Sequence, residues 1–138
     1  MADSIPRARR KAIADTVAAK DLYLAFFVNL TGYDELTATT YAALVAGGAT
    51  EVANGNGYTT GGIALTGEAA ANLATNGAKV SVNTFTLPAS TFTFRYYIIY
   101  DHTTGTIEGV KDALVNKTST GGTITITWSA TEGIIKIA

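Results

Sequence analysis

The chain has 138 residues, no cysteine and a formal net charge of −1. This length is that of one ordinary domain, which can bury enough surface to fold without a metal or a disulfide. The lack of cysteine excludes disulfides, thiolate nucleophiles and cysteine-bound zinc. The near-neutral charge gives no general attraction to nucleic acid or to an anionic membrane.

The chain has two compositional biases, a high threonine content and an uneven distribution of charge. It contains 23 threonines, and the β-branched, polar threonine side chain suits the solvated face of a strand. Residues 1–20 hold five basic and two acidic side chains, a net charge of +3, whereas residues 21–138 hold five basic and nine acidic ones, a net charge of −4. We therefore expect a basic helical arm over residues 1–20 and a single β-rich domain over residues 21–138. A threonine surface is equally typical of a soluble β domain and of a subunit packed against neighbours.

The N-terminal segment predicts a helix followed by a strand. A helix is expected over residues 4–19, with Ser4 as its cap and Pro6 in the first turn, where the missing N–H is harmless. Asp21–Asn29 is a dense apolar run of strand length, which favours a buried strand over a continuation of the helix.

A second helix and a glycine-rich loop come next. Leu36–Ala46 is typical of a short helix, with Thr37 as its cap. Residues 47–62 contain six glycines and predict a long loop. Loops of this length are uncommon in compact domains and often carry function.

The chain after residue 62 is predicted to consist of short strands. They are expected at Ile63–Gly67, Lys79–Leu87, Thr91–Asp101, Thr106–Val115, Gly122–Ser129 and Ile134–Ala138, with turns at Pro88–Ser90 and Lys117–Gly122. Alternation within Thr91–Asp101 places one set of side chains on the core face of a central strand: Phe92, Phe94, Tyr96, Ile98 and Tyr100. The predicted fold is mainly β (α+β), an antiparallel β-sandwich or half-barrel with an N-terminal helix and one further short helix.

The sequence contains few residues in patterns typical of a catalytic site. His102 is the single histidine, so a metal site made of imidazoles is excluded within one chain, and a solvated turn is the favoured interpretation of this residue. Asp101 with Glu108 or Asp112 would be a carboxylate pair, but charged hairpin ends are routine. The glycine loop lacks the Gly-Lys-Ser/Thr ending of a phosphate-binding loop. We expect no enzyme activity and no cofactor.

Two weak patterns in the sequence bear on binding. Exposed tyrosines could stack on sugars, the candidates being Tyr33, Tyr41, Tyr58 and Tyr97. Basic residues near the N-terminus could contact phosphates or an acidic protein patch, although a solvated helix face is the plainer interpretation. These residues, which we call the basic head, are Arg7, Arg9, Arg10 and Lys11.

No apolar run is long enough to span a bilayer, and no signal-peptide pattern follows the basic head. We therefore expect synthesis in a cytoplasm, no specific nucleic acid and no membrane partner.

Three segments occur in a recognisable order, namely Gly57–Gly67 (GYTTGGIALTG), Phe94–Asp101 (FRYYIIYD) and Thr123–Ile137 (TITITWSATEGIIKI). Over roughly residues 20–138 the set resembles a group of small structural proteins of tailed-bacteriophage virions. The resemblance implies a non-catalytic virion component made in the host cytoplasm, most directly a capsid decoration (cement) protein. The alternatives are a tail- or fibre-associated virion protein and, in another class, a carbohydrate-binding module.

The resemblance also implies partners. They are the major capsid protein and neighbouring copies of the chain itself, and a trimer would match the local symmetry of a capsid. We expect the contacts at the basic head and the glycine loop, since these interrupt the β domain. The expected interface residues are Arg7, Arg9, Arg10, Lys11, Asn54, Asn56 and Tyr58.

Overall fold

A computed structural model describes residues 6–73, 77–129 and 133–137. Its helices are α1 (Arg7–Ala18) and α2 (Tyr41–Ala46), and its strands are β1 (Leu22–Asn29), β2 (Thr50–Glu51), β3 (Ile63–Ala64), β4 (Ala69–Asn72), β5 (Ala78–Ser81), β6 (Phe85–Asp101), β7 (Ile107–Ile126) and β8 (Ile135–Ile137). The predicted mainly β fold, with an N-terminal helix and one further short helix, is confirmed.

The strands form two antiparallel sheets. In the larger sheet the order is β2-β1-β6-β7, and β3 pairs with the same edge of β1 as β2 does. In the smaller sheet the order is β4-β5-β8. The longest pairing in the larger sheet is that between β6 and β7. Because β7 stands last in the strand order, it forms one edge of this sheet.

The main core draws on both sheets, and β1 is buried on both of its faces. Leu22, Leu24 and Phe26 enter the main cluster, which also holds Val80 of the smaller sheet. Alternate residues of β1 point the other way into a second cluster that α2 covers, which contains Ala25, Phe27 and Leu44. A strand enclosed on both sides needs apolar side chains at every position, which explains the uninterrupted run after Asp21.

Helix α1 packs on the smaller sheet, against β4 and β5. Its buried residues are Arg10, Ala14 and Val17, a spacing that places them on one helix face. Pro6 stands at the N-cap and makes no side-chain cap, while the predicted cap Ser4 lies outside the described residues. The described part of the predicted arm is therefore laid along the body of the domain.

The second helix is shorter than predicted and has a different cap. It begins at Tyr41, and the side-chain oxygen of Thr40 accepts a 3.1 Å hydrogen bond from the backbone N–H of Ala43. The prediction that Thr37 caps it was wrong, because the helix begins one turn later.

The two turns predicted in the β region were also wrong, because both lie inside long strands. Pro88–Ser90 belongs to β6, where Ala89 has a φ of 52° beside a shift in register. Lys117–Gly122 belongs to β7. Pairing across the two strands overrides the local turn composition: the Ser90 hydroxyl donates to Gly122 O, and Thr91 Oγ1 accepts from the Gly121 N–H.

Two further strand predictions need correction. Lys79–Leu87 was predicted as one strand, but β5 ends at Ser81 and β6 begins at Phe85 in the other sheet. Strand β4 was not predicted, since its alanine-rich sequence has weak strand preference. It forms because β5 pairs with it along its length.

The predicted core face of β6 is divided by a bulge. The register shifts between Phe94 and Tyr96, and the alternation of side chains along β6 reverses at that point. Phe94 and Ile99 therefore pack in the main core, whereas Ile98 packs in the second cluster on the other side of the sheet. The prediction of one shared face was wrong, although the central position of this strand is confirmed.

Candidate interaction surface

The glycine-rich loop is held against the larger sheet by Glu51. Its carboxylate accepts hydrogen bonds from the Tyr58 hydroxyl at 2.6 Å, from the Gly61 N–H at 2.7 Å and from the Tyr41 hydroxyl. The Tyr58 hydroxyl also accepts from the Phe26 N–H at 3.1 Å. Sequence analysis did not single out Glu51, and its position among glycines gave no signal of this role.

Burial is the largest cause of raised pKa values in the tyrosines around Glu51. It raises the pKa of Tyr100 to about 12. Burial, followed by the hydrogen bond to Glu51, raises the pKa values of Tyr41 and Tyr58 above the ordinary tyrosine range. These groups remain neutral donors at physiological pH, so the network anchors the loop rather than supplying an acid or a base.

The tip of the loop is fixed as well. Asn54 Oδ1 accepts from the Thr60 N–H at 3.0 Å, and the Asn56 carbonyl accepts from the Thr91 N–H at 2.9 Å. Asn54 and Asn56 are exposed, whereas Tyr58 is only 2% exposed. Tyr58 therefore cannot serve as the surface contact predicted for it.

The basic head is divided between surface and interior. Arg7 and Arg9 are exposed, and Arg7 Nη2 donates to Leu73 O at 2.8 Å. Lys11 is half-buried and pairs with Asp15 at 2.7 Å. Arg10 is 4% exposed and lies on the packed face of α1, so it is not available as a surface contact.

The basic head and the glycine loop are held by different parts of the fold. Helix α1 lies on the smaller sheet, while the loop is bonded to β1, β2 and β6 of the larger one. The predicted interface residues are therefore positioned by two separate anchors.

The carboxylates considered for catalysis, Asp101, Glu108 and Asp112, are engaged in contacts within the fold. Asp101 is buried, and its carboxylate accepts from the Thr103 N–H and the Thr104 hydroxyl, so it stabilises its own turn. Glu108 pairs with Lys20, and Asp112 pairs with Arg95. Each carboxylate thus has a structural partner of its own.

His102 and the tyrosines do not form a binding constellation. The His102 ring stacks on Tyr23 at 4.1 Å, near the turn. Tyr97 packs against the main core and Tyr41 against the second cluster, on opposite sides of the larger sheet. Only Tyr33 of the four proposed sugar-stacking tyrosines is exposed, at 37%. They therefore do not provide one stacking surface.

The most distinctive exposed feature is a bulge in β7. Phe94 pairs with Lys117 and Tyr96 pairs with Asp112, so four residues of β7, numbers 113–116, stand opposite Arg95 alone. We call residues 113–116 the β7 bulge. It presents Leu114 and Val115, which are 76% and 57% exposed. Sequence analysis placed these two residues in an ordinary strand, because alternation does not reveal where extra residues enter.

The base of the β7 bulge is braced by an ion pair. Arg95 Nε and Nη2 donate to the two carboxylate oxygens of Asp112 at 3.0 and 3.2 Å, which lowers the pKa of Asp112. Asp112 Oδ1 also accepts from the Leu114 N–H at 2.7 Å, and Leu114 has a φ of 70°. The backbone of the tip is therefore hydrogen-bonded to the ion pair at its base.

Beyond the β7 bulge lies the edge of the larger sheet. Within the described part of the chain no strand pairs with the outer side of β7. A cleft of about 460 Å³ is lined by residues of β7 and β6. Its lining includes the consecutive residues 123–127, with Phe94 and Tyr97 behind them.

Comparisons with protein-family models, with curated proteins and with solved structures give no match for this chain. Within the described residues, no three acidic, histidine or cysteine side chains come together as metal ligands. None of the helices described there has the length and apolar character needed to cross a membrane.

Proposed function

We propose that this protein is a non-catalytic structural component of a tailed-bacteriophage virion, most directly a capsid decoration protein that binds the major capsid protein. The observation that carries the proposal is the β7 bulge, which holds Leu114 and Val115 in solvent at 76% and 57% exposure. The virion setting rests on the resemblance of the three sequence segments.

An ordered, exposed aliphatic tip is suited to docking on another protein. Burying the two side chains would contribute about 25 cal/mol for each square ångström of apolar surface removed from water. The hydrogen bond from the Leu114 N–H to Asp112 restrains the backbone of the tip, which reduces the conformational entropy lost on contact. The complementary site would be an apolar depression on the shell protein.

Repetition compensates for the small size of this contact. A shell presents the same site many times, so subunits that also touch one another bind with an affinity beyond that of one contact. Within this proposal, Arg7, Arg9, Asn54 and Asn56 are secondary contacts, because their side chains lie in exposed positions.

The deciding experiment measures occupancy on purified particles of the phage that encodes the chain. Cryo-electron microscopy should show the protein distributed over the capsid surface. Density at a single vertex or on the tail would instead support a tail- or fibre-associated role. Absence of the protein from the particles would refute the virion proposal.

A variant pair tests the β7 bulge. Leu114→Asn removes the apolar tip, and asparagine tolerates a positive φ better than leucine does. Its matched control is Leu36→Asn, which alters an 85% exposed leucine far along the chain from the bulge. We expect Leu114→Asn alone to reduce capsid occupancy. Equal occupancy for the two variants and the wild type would show that the bulge is not the contact.

A further inference from the structure

We propose that two copies of this chain associate by antiparallel pairing of their β7 edges, centred on Thr125. The contact would extend the larger sheet from one copy into the next. It deepens the proposed function by naming the self-contact of a decorating subunit, and its biological role rests on that function.

The first argument is the unpaired backbone. An edge strand presents a row of N–H and C=O groups that another strand can satisfy. β7 runs from Ile107 to Ile126, and within the described residues its outer side has no strand partner. Residues 123–127 also line the cleft of about 460 Å³.

The second argument is that this part of β7 lacks the residues that usually prevent edge strands from pairing. Soluble proteins commonly guard an edge with charged residues or proline. Residues 118–129 contain neither, and Lys117 is the last charged residue before this stretch. Two copies can therefore approach without like charges meeting.

The third argument is that the segment is complementary to itself. Ile124 is buried and Ile126 half-buried, both against the main core, while Thr123, Thr125 and Thr127 are exposed. Antiparallel pairing about Thr125 sets Ile124 opposite Ile126 of the second copy and Thr123 opposite Thr127. Isoleucines then share one face and threonines the other, which is the condition for a fixed register.

A second copy is favoured over an unrelated strand for this reason. The alternation and neutrality of the edge match its own sequence at every opposed position. Symmetric pairing also closes after two copies, which leaves the β7 bulge of each copy outside the paired segment for the shell contact.

The test uses charge exchange at the centre of the pairing. Thr125→Lys and Thr125→Glu each place like charges directly opposite one another. Each should weaken self-association by about tenfold or more, which corresponds to about 1.4 kcal/mol. An equimolar mixture of the two variants opposes Lys to Glu and should restore association. Sedimentation velocity up to millimolar protein concentration measures all of these states.

The matched control is Thr86→Lys. Thr86 is the exposed cross-strand partner of Thr125, but it belongs to β6 and not to the free edge of β7. It should leave self-association unchanged. Circular dichroism of each variant checks its folding, and recovery in the mixture cannot come from unfolded variants.

Several results would overturn the inference. They are a wild-type protein that stays monomeric at millimolar concentration, unchanged association in both Thr125 variants, a mixture that fails to recover, or an equal loss with Thr86→Lys. The two proposals fail separately. A monomeric protein found on capsids refutes only the edge pairing, and an edge-paired dimer absent from particles refutes only the virion role.

Discussion

The Tyr58 hydroxyl stands between two partners, donating to Glu51 Oε1 at 2.6 Å and accepting from the Phe26 N–H at 3.1 Å. One side chain thereby ties the glycine loop to β2 and β1. Tyr58→Phe would leave the buried Phe26 N–H without that acceptor and remove one donor from Glu51. We expect it to lower the free energy of unfolding by about 1–3 kcal/mol in urea denaturation.

Tyr33→Phe is the matched control, because it removes the same hydroxyl from an exposed tyrosine. A change of less than about 0.5 kcal/mol is expected there. Equal effects of the two substitutions would contradict an anchoring role for the Tyr58 hydroxyl.

The stability of the fold should fall at high pH as the three tyrosines around Glu51 lose their hydroxyl protons. Burial raises the pKa of Tyr100 to about 12, and it also raises the pKa values of Tyr41 and Tyr58. The unfolded chain, whose tyrosines titrate near pH 10, loses these protons first. Stability from the neutral hydroxyls is therefore complete below about pH 10 and declines as the pH rises through about 12.

Urea unfolding at a series of pH values from neutral to about 12 measures this decline. Tyr100→Phe should reduce its slope above pH 10, because one shifted group is removed. An unchanged slope would show that Tyr100 does not titrate differently in the folded and unfolded states.

The sequence predicts elements well where burial and periodicity agree. The apolar run after Asp21 and the alternation after Thr91 both mark strands of the larger sheet that are present in the structure. The sequence does not reveal the bulges. The reversal after Phe94 and the extra residues around Leu114 depend on which residue of the partner strand each residue faces, and that is a long-range property.

The candidate site was predictable only in part, for the same reason. Charge and glycine content drew attention to Arg10 and Tyr58, but both are buried in packing or hydrogen bonding. The exposed tip at Leu114 and Val115 has the composition of a core strand, so composition alone concealed it. Residue type indicates chemistry, whereas pairing register decides exposure.

Gly62 should be intolerant of any side chain. Its φ is 90°, and an added Cβ would lie 2.2 Å from the carbonyl oxygen of Leu24 in β1. Gly62→Ala must therefore displace the loop or the strand, and we expect a loss of about 1–3 kcal/mol beyond the strain of the positive φ. Thermal or urea unfolding measures it.

Gly105→Ala separates these two causes. Gly105 has a similar φ of 82°, but an added Cβ there meets no atom within 4 Å. It should show only the cost of about 1–2 kcal/mol for a left-handed alanine. If the two variants lose equal stability, close contact with Leu24 is not the constraint at Gly62.

Hydroxyl groups on β6 and β7 should differ in their contribution to stability according to where they point. The Ser90 side chain is fully buried, and its hydroxyl proton has two acceptors within reach, Ser119 Oγ at 3.0 Å and Gly122 O at 3.1 Å. Ser90→Ala should lower the free energy of unfolding by about 1–2 kcal/mol, because the hydrogen bond made by this buried hydroxyl is lost. Thr125→Ser alters an exposed side chain on the free edge and should change the free energy of unfolding by less than about 0.5 kcal/mol.

Urea unfolding of the two variants distinguishes the hydroxyls that hold the β6–β7 pair together from those left at its surface. A larger loss at Thr125 than at Ser90 would contradict this division, and with it the view that the outer threonines are available for contact between copies.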